Sequence, residues 1–439
     1  MIQNHIAKLK NVLAGKQDWV TVVFAALVTF SVYTCMYGYR KTFTAAGFSN
    51  QALWGIDYKV WLVTAQVIGY MLSKFYGIRF IAENVGKNRA SIILKLITAS
   101  WLALLGFALV PSPYNILFLF LNGFPLGMIW GLVFSYVEGR KTTELMGAVL
   151  ASSFIFASGF AKSIGAWLMQ AMHVSEHWMP FTAGAIYFLP LVLCTVLLEA
   201  IPAPTAEDQA QRCVRQPMNK EARKKLIRQF LPGLVLLIIS YILLTILRDF
   251  RDNFANEILG EQRLTGKASI FTQTETPVAI LVLAAMSLLM LIKNNFTAFY
   301  FNHIIIICGW FCALLSTLLF SGAYISAFSW FLLVGIGLYL AYIPINCLYF
   351  DRMIASFRLT ANVGFIMYVA DAFGYLGSVV VLFVKQFSSL QLSWTSFFMQ
   401  CVIGMSVISI ICMLATMVYY RKKYHLYLKN IAWKEVQPL

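Results

Sequence analysis

The sequence predicts an all-α membrane protein with twelve transmembrane helices in two pseudo-symmetric six-helix bundles, and three observations carry that expectation. Of its 439 residues, 60% are hydrophobic and 12% charged, with a mean hydropathy of +0.74. A soluble protein has nearer ~45–50% apolar and ~25% charged residues. Apolar runs of roughly 20 residues, the length that crosses the hydrocarbon of a bilayer, recur along the whole chain. The 34 Lys and Arg residues outnumber 18 Asp and Glu, a formal net charge of +16, and the excess falls on alternate sides of those runs.

The first six runs cover residues 19–39, 60–78, 90–110, 114–137, 145–172 and 178–198, separated by charges and by Gly, Pro and Asn clusters. From 202 to 228 the chain is polar and basic, with Pro202, Pro204, Pro217 and the cluster Arg223, Lys224, Lys225 and Arg228. This composition predicts a cytosolic linker with a short surface helix. Six further runs follow at 230–247, 268–292, 298–320, 324–350, 361–384 and 394–420. The expected organisation is an N-terminal six-helix bundle over residues 1–199, a cytoplasmic linker over 200–228 and a C-terminal six-helix bundle over 229–439. Almost no chain is left for a large soluble domain.

With the amino terminus inside, 23 cations fall on inner segments, 8 on outer segments and 3 within spans. This is the positive-inside bias, and it predicts that both termini are cytoplasmic. Most of the net charge is thereby a topology signal of a lipid-embedded chain, with no claim on nucleic acid. The first apolar run is too long for a signal peptide core and is read as an uncleaved span. A compact chain with short loops fits a bacterial inner (plasma) membrane.

Metal, redox and nucleotide chemistry find little support. The eight cysteines lack ligand spacing, and only Cys308 and Cys312 share a helical face. The five histidines, His5, His173, His177, His303 and His425, are assigned to loops or span ends, so no buried imidazole relay is expected. His173 and His177 are four residues apart, a spacing that a solvated loop pair explains better than a metal. No Gly-rich phosphate loop is present, which argues against an ATP-driven pump, and no nucleophile, base and orienting group can be assembled into an enzyme. No cofactor is expected.

The informative residues are the charges at span depth, where an ionisable group costs ~2.5–3.5 kcal/mol and needs a partner, a cavity or a function. They are Arg40, Lys74, Lys95, Lys162, Arg248, Glu275 and Asp371. Arg40 and Arg248 end spans one and seven at corresponding places. A pseudo-twofold would bring both guanidiniums toward one axis, where two forks of fixed geometry suit one oxyanion. Snorkelling of either arginine to headgroups is the competing explanation. Lys162 and Asp371 occupy matching spans five and eleven, so a cross-bundle ion pair is one expectation; Asp371 suits a gate bridge or a proton site equally. Lys74 and Lys95 lie near span ends, where snorkelling competes with function. Glu275, between Thr274 and Pro277, lies in a polar, helix-breaking patch that reads as pore-facing. Gates are expected from Lys41 with Glu275 or an acid of the 249–252 segment such as Asp252, and from Glu138, Arg140, Asp351 and Arg352 at the inner ends of spans four and ten.

With these residues in hand, the chain resembles the major facilitator superfamily, and within it the organophosphate:phosphate antiporter family. The matching strings are Tyr39-Arg40-Lys41 with Phe43, Tyr70-x-x-Ser73-Lys74-Phe75, Leu247-Arg248, and Glu275 closely followed by Pro277. The resemblance implies the major facilitator fold, phosphate binding by Arg40 and Arg248, a pocket lined by Tyr70 and Lys74, and nearby salt bridges of Lys41 and Glu275. Tyr37 and Lys162 complete the candidate substrate-binding set. Three departures stand out. The family's fifth-helix histidine has no equivalent, since Ser158 or Gly159 stands nearby and Lys162 about a turn further on. The loop between helices two and three is partly kept as Glu83-Asn84-Val85-Gly86-Lys87-Asn88-Arg89. Its counterpart is reduced to Lys293-Asn294-Asn295. The resulting expectation is a monomeric secondary transporter exchanging an organophosphate for inorganic phosphate by alternating access. A proton-coupled symporter of an organic anion or sugar acid, using Asp371 or Glu275, and a membrane sensor of an anionic ligand are the alternatives.

Overall fold

The computed structural model describes residues 2–14, 18–49, 51–84, 88–138, 140, 142–205, 220–359, 364–387 and 392–436. Apolar segments in lipid must satisfy every backbone polar group internally, and the chain does so almost wholly with helices. A short helix α1 (Ile2–Ala14) precedes α2 (Asp18–Lys41), which continues as a 3-10 turn over Thr42–Ala45. A small antiparallel hairpin pairs Ala52–Leu53 with Ile56–Asp57 and turns through Trp54 and Gly55, both at positive φ as two-residue hairpin turns require. Then come α3 (Tyr58–Asn84), α4 (Arg89–Leu109), α5 (Ile116–Leu126), α6 (Ile129–Phe134), α7 (Thr143–Ala171) and α8 (Met179–Leu198). The fourth expected span is thus two pieces, α5 and α6, broken just after Pro125 at Gly127 and Met128.

The second half holds α9 (Lys220–Asn253), a short α10 (Ala255–Glu261), α11 (Ile270–Met290), α12 (Asn295–Ser321) and α13 (Ala327–Pro344). A π-turn over Ile345–Tyr349 leads from α13 into α14 (Phe350–Ser356), and α15 (Gly364–Phe387) and α16 (Trp394–Val436) complete the chain. Among the described residues ten helices are long and apolar enough to cross a membrane, and α3 and α15 occupy the two remaining expected spans. The protein is an all-α, multi-pass membrane protein.

Two features refine the sequence expectation. The basic cluster at the end of the linker belongs to one continuous helix with span seven, because α9 runs unbroken for 34 residues, about 51 Å at ~1.5 Å per residue. The linker residues 206–219 lie outside the described residues. Within the first half, α3 and α5 cross at Gly69 and Gly123, where a Cβ on either glycine would collide with the backbone carbonyl of Phe120 or Gln66. Such small-residue crossings let spans approach closely where no hydrophobic force drives them together.

By packing, the chain divides into two compact units. One comprises Met1–Cys213, Asp249–Leu283 and Tyr375–Phe398; the other comprises Val214–Arg248, Ala284–Gly374 and Met399–Leu439. This division cuts through α9, α11, α15 and α16, unlike the expected halves.

Candidate functional site

In the first unit, the last turn of α2 delivers Arg40 into a nearly closed environment, 4% exposed. Its guanidinium carbon lies 3.8 Å from the ring centroid of Tyr70 and 5.6 Å from that of Tyr37, while Nη1 donates to the Tyr37 hydroxyl at 3.5 Å. Nε is buried with no hydrogen-bond partner. No carboxylate among the described residues pairs with Arg40. Tyr33 packs on Tyr37 at 5.5 Å, and Tyr375 on Tyr70 at 5.5 Å. Lys74 is half-buried, with Nζ 5.4 Å from the Tyr70 ring and 5.6 Å from the Tyr375 ring.

A buried amide network fixes this turn. Gln66 donates to the Arg40 carbonyl at 2.9 Å and to Asn122 Oδ1 at 2.7 Å. Asn122 in turn donates to the Tyr39 carbonyl at 3.1 Å and to Ser100 Oγ at 2.6 Å. Three spans, α3, α4 and α5, thus hold the helix end that carries Arg40, which limits the wander of the guanidinium.

One residue further, Lys41 enters a different environment. Its Nζ meets Asp252 Oδ2 at 2.6 Å and Asn253 Oδ1 at 2.6 Å. Lys162, 1% exposed on α7, meets Asp252 Oδ1 at 2.7 Å and the Asp252 carbonyl at 2.9 Å, and the Ser158 hydroxyl donates to the same Oδ1. Arg251 Nη1 donates to Glu275 Oε1 at 2.7 Å. Lys59 bridges Glu257 at 2.6 Å and donates to the Thr44 carbonyl at 2.8 Å. Asp249 is buried beside them and acts on Lys41 through its charge. On the short helix α10, burial pushes the Glu257 carboxyl above its ordinary range, with Lys59 pulling it part of the way back. Gly159 is required where α7 meets α11, since a Cβ there would strike the Phe271 carbonyl and Glu275.

In the second unit, Arg248 is 8% exposed, with its guanidinium carbon 4.3 Å from the Tyr342 ring centroid. Tyr342 stacks on Tyr241 at 5.5 Å, and the Tyr241 hydroxyl donates to Asp371 Oδ1. Asn346, in the π-turn, donates to the Tyr241 hydroxyl at 3.2 Å. π-turns interrupt the regular ladder and frequently accompany functional positions.

Several expectations are corrected by this geometry. The pair proposed between Lys162 and Asp371 gives way to other partners, Asp252 for the lysine and Tyr241 for the aspartate. Of the partners expected for Lys41, it meets Asp252, together with Asn253, and not Glu275, which takes Arg251. His303 is 1% exposed inside α12, its ring bonded to the Phe299 carbonyl and the Tyr349 hydroxyl, each at 2.9 Å, so a buried imidazole does exist. At the expected inner ends, Arg140 donates to the Pro202 carbonyl and Arg352 to Asn295 Oδ1 at 2.8 Å, while Glu138 and Asp351 are half-buried. Lys95 is exposed on α4. Among the described residues no cluster of His, Cys, Asp and Glu could hold a metal ion.

Sequence reasoning missed Arg251, the Lys59–Glu257 bridge, the Gln66–Asn122 network and Tyr375. Gln66 and Asn122 carried a usable signal, as amides inside apolar runs. The Lys59–Glu257 bridge carried none, because its partners are 198 residues apart, and Arg251 meets Glu275 on another helix, 24 residues on, which no helical spacing marks.

Comparison with solved structures places the architecture. The crystal structure of nucleoside transporter NupG matches with a TM-score of 0.59 at 16% identity, covering 90% of this chain and 98% of that one. A D-xylose-proton symporter gives 0.58 at 14% identity, covering 91% of this chain and 97% of that one. A bacterial homologue of the human lysosomal transporter Spinster gives 0.56 at 11% identity, covering 95% and 99%. At such identities the likeness establishes that the chain shares the fold of these proteins and nothing finer, while the organophosphate resemblance is carried by the motif residues alone. A sequence search of curated proteins finds no match. Residues 42–423 match a family described as "Family of unknown function (DUF5690)", and the chain belongs to that family.

Proposed function

We propose that the chain is a secondary transporter of a small organic anion, working by alternating access, and that Arg40 binds the negative group of the substrate. The observation that carries this is the state of Arg40: buried, stacked on Tyr70 and without a carboxylate among the described residues. A permanent charge held at span depth without a protein counter-ion is costly, and an anionic substrate supplies the missing partner. Lys74, Tyr37 and Tyr70 stand beside it, and Arg248 on Tyr342 is the second guanidinium of the reading. The amide network around Arg40 supports preorganised binding over snorkelling. Lys162 is engaged by Asp252 in this arrangement.

Two forms of coupling remain within the proposal. Exchange of an organophosphate for phosphate follows from the motif resemblance. Proton-coupled uptake of an organic or sugar acid is favoured by the likeness to a D-xylose-proton symporter and by the Asp371 carboxylate bonded to Tyr241 inside the spans. The test is counterflow of labelled phosphate in proteoliposomes against a panel of organophosphates and sugar acids, with and without a protonophore. Exchange persists with the protonophore, whereas symport collapses. Arg40→Lys should lower uptake by about 100-fold with folding intact, because Lys lacks the fork; normal uptake in that variant overturns the arginine assignment, and ligand-induced stabilisation without flux identifies a sensor.

A further inference from the structure

Asp252 is held the way a ligand is held. Its Oδ1 takes the Lys162 ammonium at 2.7 Å and the Ser158 hydroxyl, and its Oδ2 takes the Lys41 ammonium at 2.6 Å. The donors come from α2 and α7, and the carboxylate is delivered by α9. Two ammoniums and a hydroxyl converging on two oxygens form a donor set that any small oxyanion can use.

The charges also sort by origin. Lys41, Lys59 and Lys162 belong to the first six spans and their loops, whereas Asp249, Asp252, Glu257 and Glu275 all lie between residues 249 and 275. Alternating access, on which this inference rests, requires the two sets to part when the protein opens at this end. Parting strips the acids from Lys41 and Lys162 together. It leaves two formerly buried ammoniums that faced one carboxylate, with the Ser158 hydroxyl directed at the same oxygen as Lys162 and Arg40 adjacent in sequence to Lys41. Removing one partner from a buried pair is far costlier than replacing it, so a replacement anion lowers the cost of opening.

We propose that Lys41, Lys162 and Ser158 form a second anion site, distinct from the Arg40 pocket, which Asp252 fills in the closed arrangement and a phosphate or carboxylate group fills in the open one. Asp252 is then an internal competitor of incoming substrate, and the site is a staging point on the way to Arg40.

The test is equilibrium binding of labelled inorganic phosphate to the purified full chain at low salt. Asp252→Asn should bind one more phosphate per protein than the unsubstituted chain, and Asp252→Asn with Lys162→Gln should lose that extra site. Arg40→Lys in the Asp252→Asn background should keep it, which separates the two sites: loss of the extra phosphate there overturns the second site, while loss of phosphate binding in Arg40→Lys alone bears on the transport reading. Unchanged stoichiometry in Asp252→Asn overturns the proposal. Should that variant fold poorly, Asp252→Ser serves as the second variant, and its thermal stability becomes the measure. Phosphate, but not chloride, should raise the unfolding temperature of Asp252→Ser more than that of the unsubstituted chain, and an equal response overturns the proposal.

Discussion

Arg40 and Lys41 are neighbours on the last turn of one helix, yet they face regions of opposite charge balance. Around Lys41, four cations, Lys41, Lys59, Lys162 and Arg251, face four acids, Asp249, Asp252, Glu257 and Glu275. Around Arg40, tyrosines and Lys74 supply polarisable rings and a further cation, with no acid paired to the guanidinium among the described residues. The first region has closed its electrostatics within the protein, and the second has left one place to be filled. Burying balanced pairs is tolerable when opposite charges meet directly, whereas burying an unbalanced cation is costly. The difference therefore separates cations paired with acids from one paired with none among the described residues, which position in the span does not.

Substitutions can break or sharpen this contrast. The largest effect is expected from Asp252→Ala, which strands two lysines; stability should fall by ~3–5 kcal/mol, read as a lowered thermal or denaturant midpoint, and a fall below about 1 kcal/mol would erase the distinction. Next is Arg40→Met, where the sign should reverse. Removing an unbalanced charge should leave stability unchanged or raise it by up to ~2–3 kcal/mol while abolishing substrate binding, and a marked destabilisation would reveal a counter-ion inside the protein. Smallest is Glu257→Gln, because that carboxylate is 14% exposed and Gln keeps one hydrogen bond to Lys59. The expected loss is about 1 kcal/mol, measured in the same unfolding assay.

Much of the architecture was legible in the chain. The twelve spans follow from hydropathy, since apolar length is a local property that bilayer thickness selects directly. The membrane-embedded charges were legible for the same reason: Arg40, Lys74, Lys162, Arg248, Glu275 and Asp371 are exceptions to an apolar background. Their partners were not. Lys162 was matched to Asp371 by repeat position, but its ammonium meets Asp252, and Glu275 meets Arg251 from the neighbouring helix. Pseudo-symmetry relates backbones, whereas an ion pair depends on which side chains reach across a particular crossing. His303 was misjudged in the same way, because depth along α12 and the facing Tyr349 hydroxyl are invisible to a hydropathy window.

The sequence by itself determined that this is a multi-pass helical membrane protein with a small set of ionisable groups too costly to be incidental, because the bilayer imposes that rule residue by residue. Only the tertiary structure decided which of those groups are neutralised. It joined Lys41 and Lys162 on a single aspartate, locked the turn of Arg40 with Gln66 and Asn122, and left the guanidinium of Arg40 on a tyrosine face. Charge balance is a property of packed neighbours, and neighbours are chosen by the fold.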